Sequence, residues 1–143
     1  MIVANLLKQK AHRIIAVNPD DTVAAVTAVL ARERIGAVLV RDDGEVIHGI
    51  LSERDIVRAL ARDGSALLQG KARNVMTSKV IYCRLEDTID HVMTLMTEGR
   101  FRHLPVKRGS EIMGVISIGD VVKARIEEVE LEARAMREYI ATG

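Results

Sequence analysis

The 143-residue sequence predicts a mixed α/β (α+β) fold: two tandem strand-helix-strand-strand-helix repeats, packed sheet to sheet with pseudo-two-fold symmetry. Three observations lead there. First, Gly49-Ile50-Leu51-Ser52-Glu53-Arg54-Asp55 recurs as Gly114-Val115-Ile116-Ser117-Ile118-Gly119-Asp120, with the aspartates 65 positions apart. Each copy is a glycine, two aliphatic residues, a serine, two variable positions and an aspartate, running into a helix-like stretch. Second, the order of residues upstream is duplicated as well. Asp21-Thr22-Val23 matches Asp87-Thr88-Ile89 at an offset of 66, Ile15 falls opposite Ile81, and Val38-Leu39-Val40 falls opposite Leu104-Pro105-Val106. The offset shortens by one where Arg41-Asp42-Asp43-Gly44 faces Lys107-Arg108-Gly109-Ser110, polar stretches that read as hairpin turns and so tolerate a length change. Third, a sheet of about three short strands cannot bury both faces alone, so the two copies are expected to cover one another.

Each element has its own signal. Asp20 or Asp21 is placed to cap a helix over 22–34, with Val23, Val26, Val29 and Leu30 on one face and Gly36 closing it. Ala37–Val40 and Val46–Leu51 read as strands around the turn at Asp42–Gly44, and Ser52 opens a helix to Asp63, stopped by Gly64. The second copy repeats the order: a strand near Val80–Cys83, a helix over Asp87–Glu98, strands His103–Val106 and Ile112–Ile116, and a helix from Ser117. These bounds give a first repeat at 1–65, a linker at 66–74 with Gly70, Lys71 and Arg73, a second repeat at 75–124 and a C-terminal helical extension at 125–143.

Composition narrows the function classes. A hydrophobic fraction of 48% with 29% charged residues is that of a soluble globular protein. One Phe, two Tyr and no Trp require an aliphatic core and leave little to stack on single-stranded bases. A net charge of +1 supplies no broad attraction to a polyanion. Cys83, the single cysteine, rules out an internal disulfide and fits a reducing compartment. The apolar part of Met1–Lys10 is too short for a secretory segment and no run reaches transmembrane length, so a cytoplasmic location is expected. His12, His48, His91 and His103 share no ligand spacing with Cys83 or one another, which argues against zinc. There is no phosphate-binding glycine loop with lysine, no nucleophile elbow and no metalloprotease motif. The chain reads as a non-enzyme.

The duplicated Ser-x-x-Asp admits two readings that do not exclude each other. Serine at a helix start with an acidic residue three on is close to a capping box and stabilises the helix with no ligand. The same turn presents a hydroxyl and a carboxylate at a strand end, where a small molecule can bind.

Together these motifs resemble the cystathionine beta-synthase (CBS) domain, here as a tandem pair of the kind called a Bateman module. The likeness covers about Leu6 to Ala124, and Asn74-Val75-Met76-Thr77 is similar to the family's usual lead into a second repeat. The resemblance implies a stand-alone sensor that binds an adenosine-containing ligand (AMP, ADP, ATP, NAD or S-adenosylmethionine) in the cleft between repeats and signals to a regulated protein. No other cofactor is implied. By the same likeness, Asp55 and Asp120 would accept from ribose hydroxyls, since an ionised carboxylate is acceptor-only. Ser52 and Ser117 would lie near phosphate at a helix N-terminus. The purine would rest against Ile15 and Val17 in one copy and Val80 and Ile81 in the other. Basic residues at the start of the second copy's hairpin, Arg102 and His103, stand where charged family members meet phosphate. Arg100 reads as a solvated loop residue, and Arg54 faces either phosphate or water. Cys83 reads as core.

Beyond the repeat, Val122, Ile126, Val129, Ala133, Met136 and Ile140 form a seam spaced 4, 3, 4, 3 and 4. A homodimer contact is the expectation, with a fold-back on the same subunit as its rival. Two other functions stay open. A structural dimerisation module would use the serines only as caps. A nucleic-acid-binding regulator would draw on Arg32, Arg34, Arg54, Arg58, Arg100 and Arg102, against the balanced charge.

Overall fold

The structure, a computed structural model, describes residues 1–9 and 14–142. His12, weighed above as a ligand, and Gly143, the end of the expected extension, lie outside the described residues. The described chain forms α1 (Val3–Lys8), β1 (Ala16–Val17), α2 (Val23–Glu33), β2 (Ala37–Arg41), β3 (Ile47–Ser52), α3 (Glu53–Asp63), 3₁₀ turns at Gly64–Gln69 and Ala72–Asn74, α4 (Ile89–Gly99), β4 (His103–Arg108), β5 (Glu111–Ser117) and α5 (Ile118–Thr142). It divides into two compact units, Ile15–Val80 and a second made of Met1–Ile14 with Ile81–Gly143.

In the Ile15–Val80 unit, β1 runs parallel to β2 and β2 antiparallel to β3. Val17, Val23, Val26, Leu30, Val38, Val40, Leu51, Ile56 and Ala59 form its core, joined by Leu67 and Ala72 from the 3₁₀ turns. The segment expected to be a linker is therefore packed structure. Its 3₁₀ turns start at Gly64, whose positive φ of 69° stops α3 as expected.

The other unit holds the β4–β5 hairpin, α4 and α5 around Cys83, Ile89, Val92, Met96, Leu104, Val106, Ile116, Val121 and Ala124. Its core is completed by α1, an element the sequence reading did not anticipate, through Val3, Leu6 and Leu7. Val3 and Ala4 donate backbone hydrogen bonds to Asp87 and Leu85 at 2.8 and 2.9 Å. Residues 1–9, assigned by sequence to the first repeat, thus pack with the second.

The duplication is visible in detail. Ala37 pairs with Ser52 as His103 pairs with Ser117, and both hairpins shift register one residue past the matching valines, Val40 and Val106. Both α2 and α4 end on an arginine in the left-handed region, Arg34 and Arg100, each at φ 56°. That corrects the expectation that Gly36 closes the first helix.

The caps differ from expectation too. Thr22 and Thr88, not the preceding aspartates, accept from the amides of Ala25 and His91 at 3.1 and 3.0 Å. Asp21 and Asp87 instead accept from Asn18 and Arg84 in the turns before each helix. The aspartate side chains are spent holding the turn, which leaves the cap to threonine.

One expected strand is missing. Near Val80–Cys83 only Cys83 makes a bridge, parallel to Val106. The first copy explains why: there Leu39 N–H donates to Ile15 C=O at 3.4 Å. The residues in register in the second copy are Pro105 and Ile81, and proline has no N–H to give. The rung is lost and Ile81 is left exposed.

Candidate functional site

Each signature turns a corner from strand to helix. In the first copy, β3 ends on Ser52, an extended residue at φ −104° that caps α3. Ser52 Oγ accepts from Asp55 N–H at 3.2 Å, while Asp55 Oδ2 accepts from Ser52 N–H at 3.0 Å and from Ser52 Oγ at 3.1 Å. In the second copy, Asp120 N–H donates to Ser117 Oγ at 3.1 Å and Ser117 N–H to Asp120 Oδ2 at 2.8 Å. Both signatures are reciprocal capping boxes. The box occupies Oδ2 of each carboxylate. A carboxylate has about four acceptor sites, so the capping bonds do not by themselves exhaust it. Ser52, Asp55, Ser117 and Asp120 are all half-buried, dry enough to strengthen a hydrogen bond and open enough to be reached.

The surroundings differ between copies. Behind Ser52 the preceding strand begins at Gly36-Ala37, and Gly36 C=O accepts from Glu53 N–H at 2.9 Å. Behind Ser117 the same place is filled by Arg102-His103: Arg102 C=O accepts from Ile118 N–H at 2.8 Å, and His103 is the strand partner of Ser117. The structure therefore brings Arg102, exposed, and His103, half-buried, beside the Ser117–Asp120 corner. Arg100 and Arg54 are exposed.

The apolar positions part company. Val17 is buried in the core of its unit, Ile15 and Val80 are half-buried, and Ile81 is exposed. Val17 thus has little surface left to offer a ligand.

Thr77 is a site residue that sequence reasoning passed over. It bridges Ile50 on the edge of β3, with N–H···O distances of 3.0 and 2.8 Å, and sets its hydroxyl 3.4 and 3.5 Å from the two oxygens of Asp55. Those distances lie at the long end of hydrogen bonding. Gly49 makes this approach possible: a Cβ there would sit 2.6 Å from Thr77 C=O and 2.8 Å from Met76 Sδ.

The second unit has a counterpart. Val3 N–H donates to Asp87 C=O at 2.8 Å, as Ala72 N–H donates to Asp21 C=O at 2.8 Å, and a Cβ on Gly114 would meet Leu7 Cδ2 at 3.0 Å. Asn5-Leu6-Leu7-Lys8 thus plays the part of Asn74-Val75-Met76-Thr77, at an offset of 69. Scanning at 65 and 66 hides that match, and Lys8 stands where the first copy has Thr77.

Burial, then the nearby Asp87 charge, pushes the Cys83 thiol up to about 12, so it stays protonated and unreactive. Among the described residues no three His, Cys, Asp or Glu side chains gather to hold a metal, and no helix is long and apolar enough to cross a membrane.

Comparison with known proteins agrees with this architecture. A family model described as CBS domain matches residues 10–62 and 72–127. A CBS domain-containing mitochondrial protein of Arabidopsis thaliana, CBSX3, is 34% identical over 128 residues, which cover 87% of this chain and 62% of the relative. A 33.4 kDa Thermofilum pendens protein is also 34% identical, over 97 residues that cover 68% of this chain and 31% of its length. The chain therefore spans less than two thirds of these relatives. Among solved structures, the CBS-domain containing protein ATU1752 from Agrobacterium tumefaciens is 44% identical with a TM-score of 0.85, covering 87% of this chain and 92% of that one. The CBS domain pair of MJ0100, solved with 5′-methylthioadenosine and S-adenosyl-L-methionine, shares the fold at 19% identity and a TM-score of 0.78, over 90% and 98% of the two chains.

Proposed function

This chain belongs to the CBS domain family as a tandem pair, and from that premise we propose that it is a non-catalytic sensor of an adenosine-containing ligand. The observation that carries the reading is the pair of half-buried carboxylates, Asp55 and Asp120, each fixed by its own serine at a strand-to-helix corner. A vicinal ribose diol brings two donors to such a group. The adenosine compounds bound by the MJ0100 pair, which has the same fold, support the ligand class. Arg102 and His103 beside Ser117 favour a phosphorylated ligand at the second corner, because guanidinium and imidazole N–H groups form charge-assisted bonds to phosphate oxygens. The chain works as a homodimer joined through α5, and occupancy changes what the dimer offers a regulated protein by favouring one of two states.

The competing reading is a ligand-free dimerisation module, and one observation favours it: both serines already serve as helix caps. Calorimetric titration with AMP, ADP, ATP, NAD, S-adenosylmethionine and 5′-methylthioadenosine, each beside its 2′,3′-dideoxy analogue where one exists, separates the two. Binding that needs the diol supports the sensor. Heat from neither member of any pair leaves the module.

A further inference from the structure

We propose that α5 pairs with α5 of a second copy of this chain as a parallel, in-register, two-stranded coiled coil. The inference rests on the self-association reading above and adds orientation, register and the residues that set them.

The helix has two separate faces. Val121 and Ala124 are buried, and Arg125 reaches Glu128 at 3.2 Å and Asp90 of α4 at 3.7 Å, so this face is docked on the helix's own unit. The seam lies roughly a quarter-turn around the axis. Its larger members, Val122, Ile126, Val129, Met136 and Ile140, remain 43–72% exposed. From Glu130 to Thr142 no residue is buried. A helical end of this length without packing is marginal in water, and an apolar stripe along it calls for a partner.

The charges beside the seam say what the partner is. The spacing puts Ile126, Ala133 and Ile140 at a positions, and Val122, Val129 and Met136 at d. The flanking g positions are then Arg125, Glu132 and Tyr139, and the e positions Lys123, Glu130 and Arg137. In a parallel pair each g residue faces the e residue five further on in the other helix. Arg125 meets Glu130 and Glu132 meets Arg137, each twice by symmetry, and every facing charged pair is opposite in sign. Because Arg125 is already engaged within its own unit, Glu132–Arg137 is the pair on which orientation chiefly depends.

The fully overlapped antiparallel pair sets Glu130 against Glu130, Glu132 against Glu132 and Lys123 against Arg137, all like charges. Staggering that pair to relieve the repulsion gives up part of the seam. Four basic and five acidic side chains across residues 121–142 give no attraction to an anionic surface, whereas their order fits a second copy.

Two measurements on the full chain test this. Light scattering gives the mass, and Ile140→Cys under mild oxidation gives the orientation, with the wild type, whose Cys83 is buried, as control. The expected result is a dimer in which Ile140→Cys is efficiently cross-linked to itself. A monomer would overturn self-association and this geometry together. A dimer whose Ile140→Cys form does not cross-link would overturn the geometry alone, and cross-linking in a mixture of Val122→Cys and Ile140→Cys would assign the antiparallel pair. Glu132→Lys is expected to weaken the dimer about tenfold and Glu132→Lys with Arg137→Glu to restore it; no rescue would remove the pairing. Ligand titrations read the sensor function independently of all these outcomes.

Discussion

The two repeats share one backbone corner and surround it with opposite chemistry. At the first, Ser52 and Asp55 are flanked by Gly36, Ala37 and the Thr77 hydroxyl, which sits 3.4 Å from the carboxylate. At the second, Ser117 and Asp120 have Arg102 and His103 beside them, and Lys8 is the residue that aligns with Thr77. The lead-in segments differ as well. Residues 70–77 are tied down partly by surface ions, Asp20 accepting from Arg73 at 2.6 Å with Lys71 3.5 Å away. Their counterpart in α1 is held by burial of Val3, Leu6 and Leu7. Duplication preserved what the fold needs, namely the caps, the register shift and the glycine of close approach. The side chains around each corner differ between the copies.

The largest effect separates the glycines. Gly49→Ala forces a Cβ against the Thr77 backbone and should cost about 1–3 kcal/mol in urea unfolding. Gly114→Ala meets only the end of the flexible Leu7 side chain and should cost less; equal losses would show that the two lead-ins are held alike. Next, Ser52→Ala and Ser117→Ala each remove a cap and should lose about 1 kcal/mol. This is the point on which the repeats are expected to agree, and a null effect at either would remove its capping box. Thr77→Val is smaller in stability but informative for binding. It should weaken an unphosphorylated adenosine ligand while leaving thermal stability in its absence nearly unchanged.

The smallest effect concerns pH. The hydrogen bond from Arg73, with the charges of Arg73 and Lys71, holds the Asp20 carboxyl below the usual carboxylate range. A depressed folded pKa gives stability that is present above the unfolded value and lost as pH falls through the folded one. Arg73→Ala should therefore flatten the acid limb of the stability curve slightly. An unchanged limb would mean that exposure screens the pair completely.

Much of this was legible in the sequence. Both hairpins, the α3 cap at Ser52 and its stop at Gly64 follow from local chemistry that tertiary packing did not override. The misses have physical causes. Pro105 silently deletes the rung that would have made a strand near Val80, since a missing N–H matters only once a partner carbonyl is in register. Asp21 and Asp87 outrank threonine as caps in isolation, but the turns before the helices claim them first. The match between Lys8 and Thr77 was hidden by an offset of 69, three longer than the repeat's 66. The packing of residues 1–9 with the second repeat is a long-range choice that no local pattern records.

The proposal that Asp55 and Asp120 each hold an adenosine-containing ligand, with a phosphorylated one favoured at the second corner and so an uncharged one left to the first, is tested most directly by thermal-shift titration of ATP and 5′-methylthioadenosine on the wild type, Asp55→Ala and Asp120→Ala. A ligand at ~100 times its Kd stabilises by about 2.7 kcal/mol, a clear shift in Tm for a protein of this size. The account predicts that Asp120→Ala abolishes the ATP shift and spares that of 5′-methylthioadenosine, with Asp55→Ala doing the reverse. Two variants that lose both shifts equally, or neither, would contradict it.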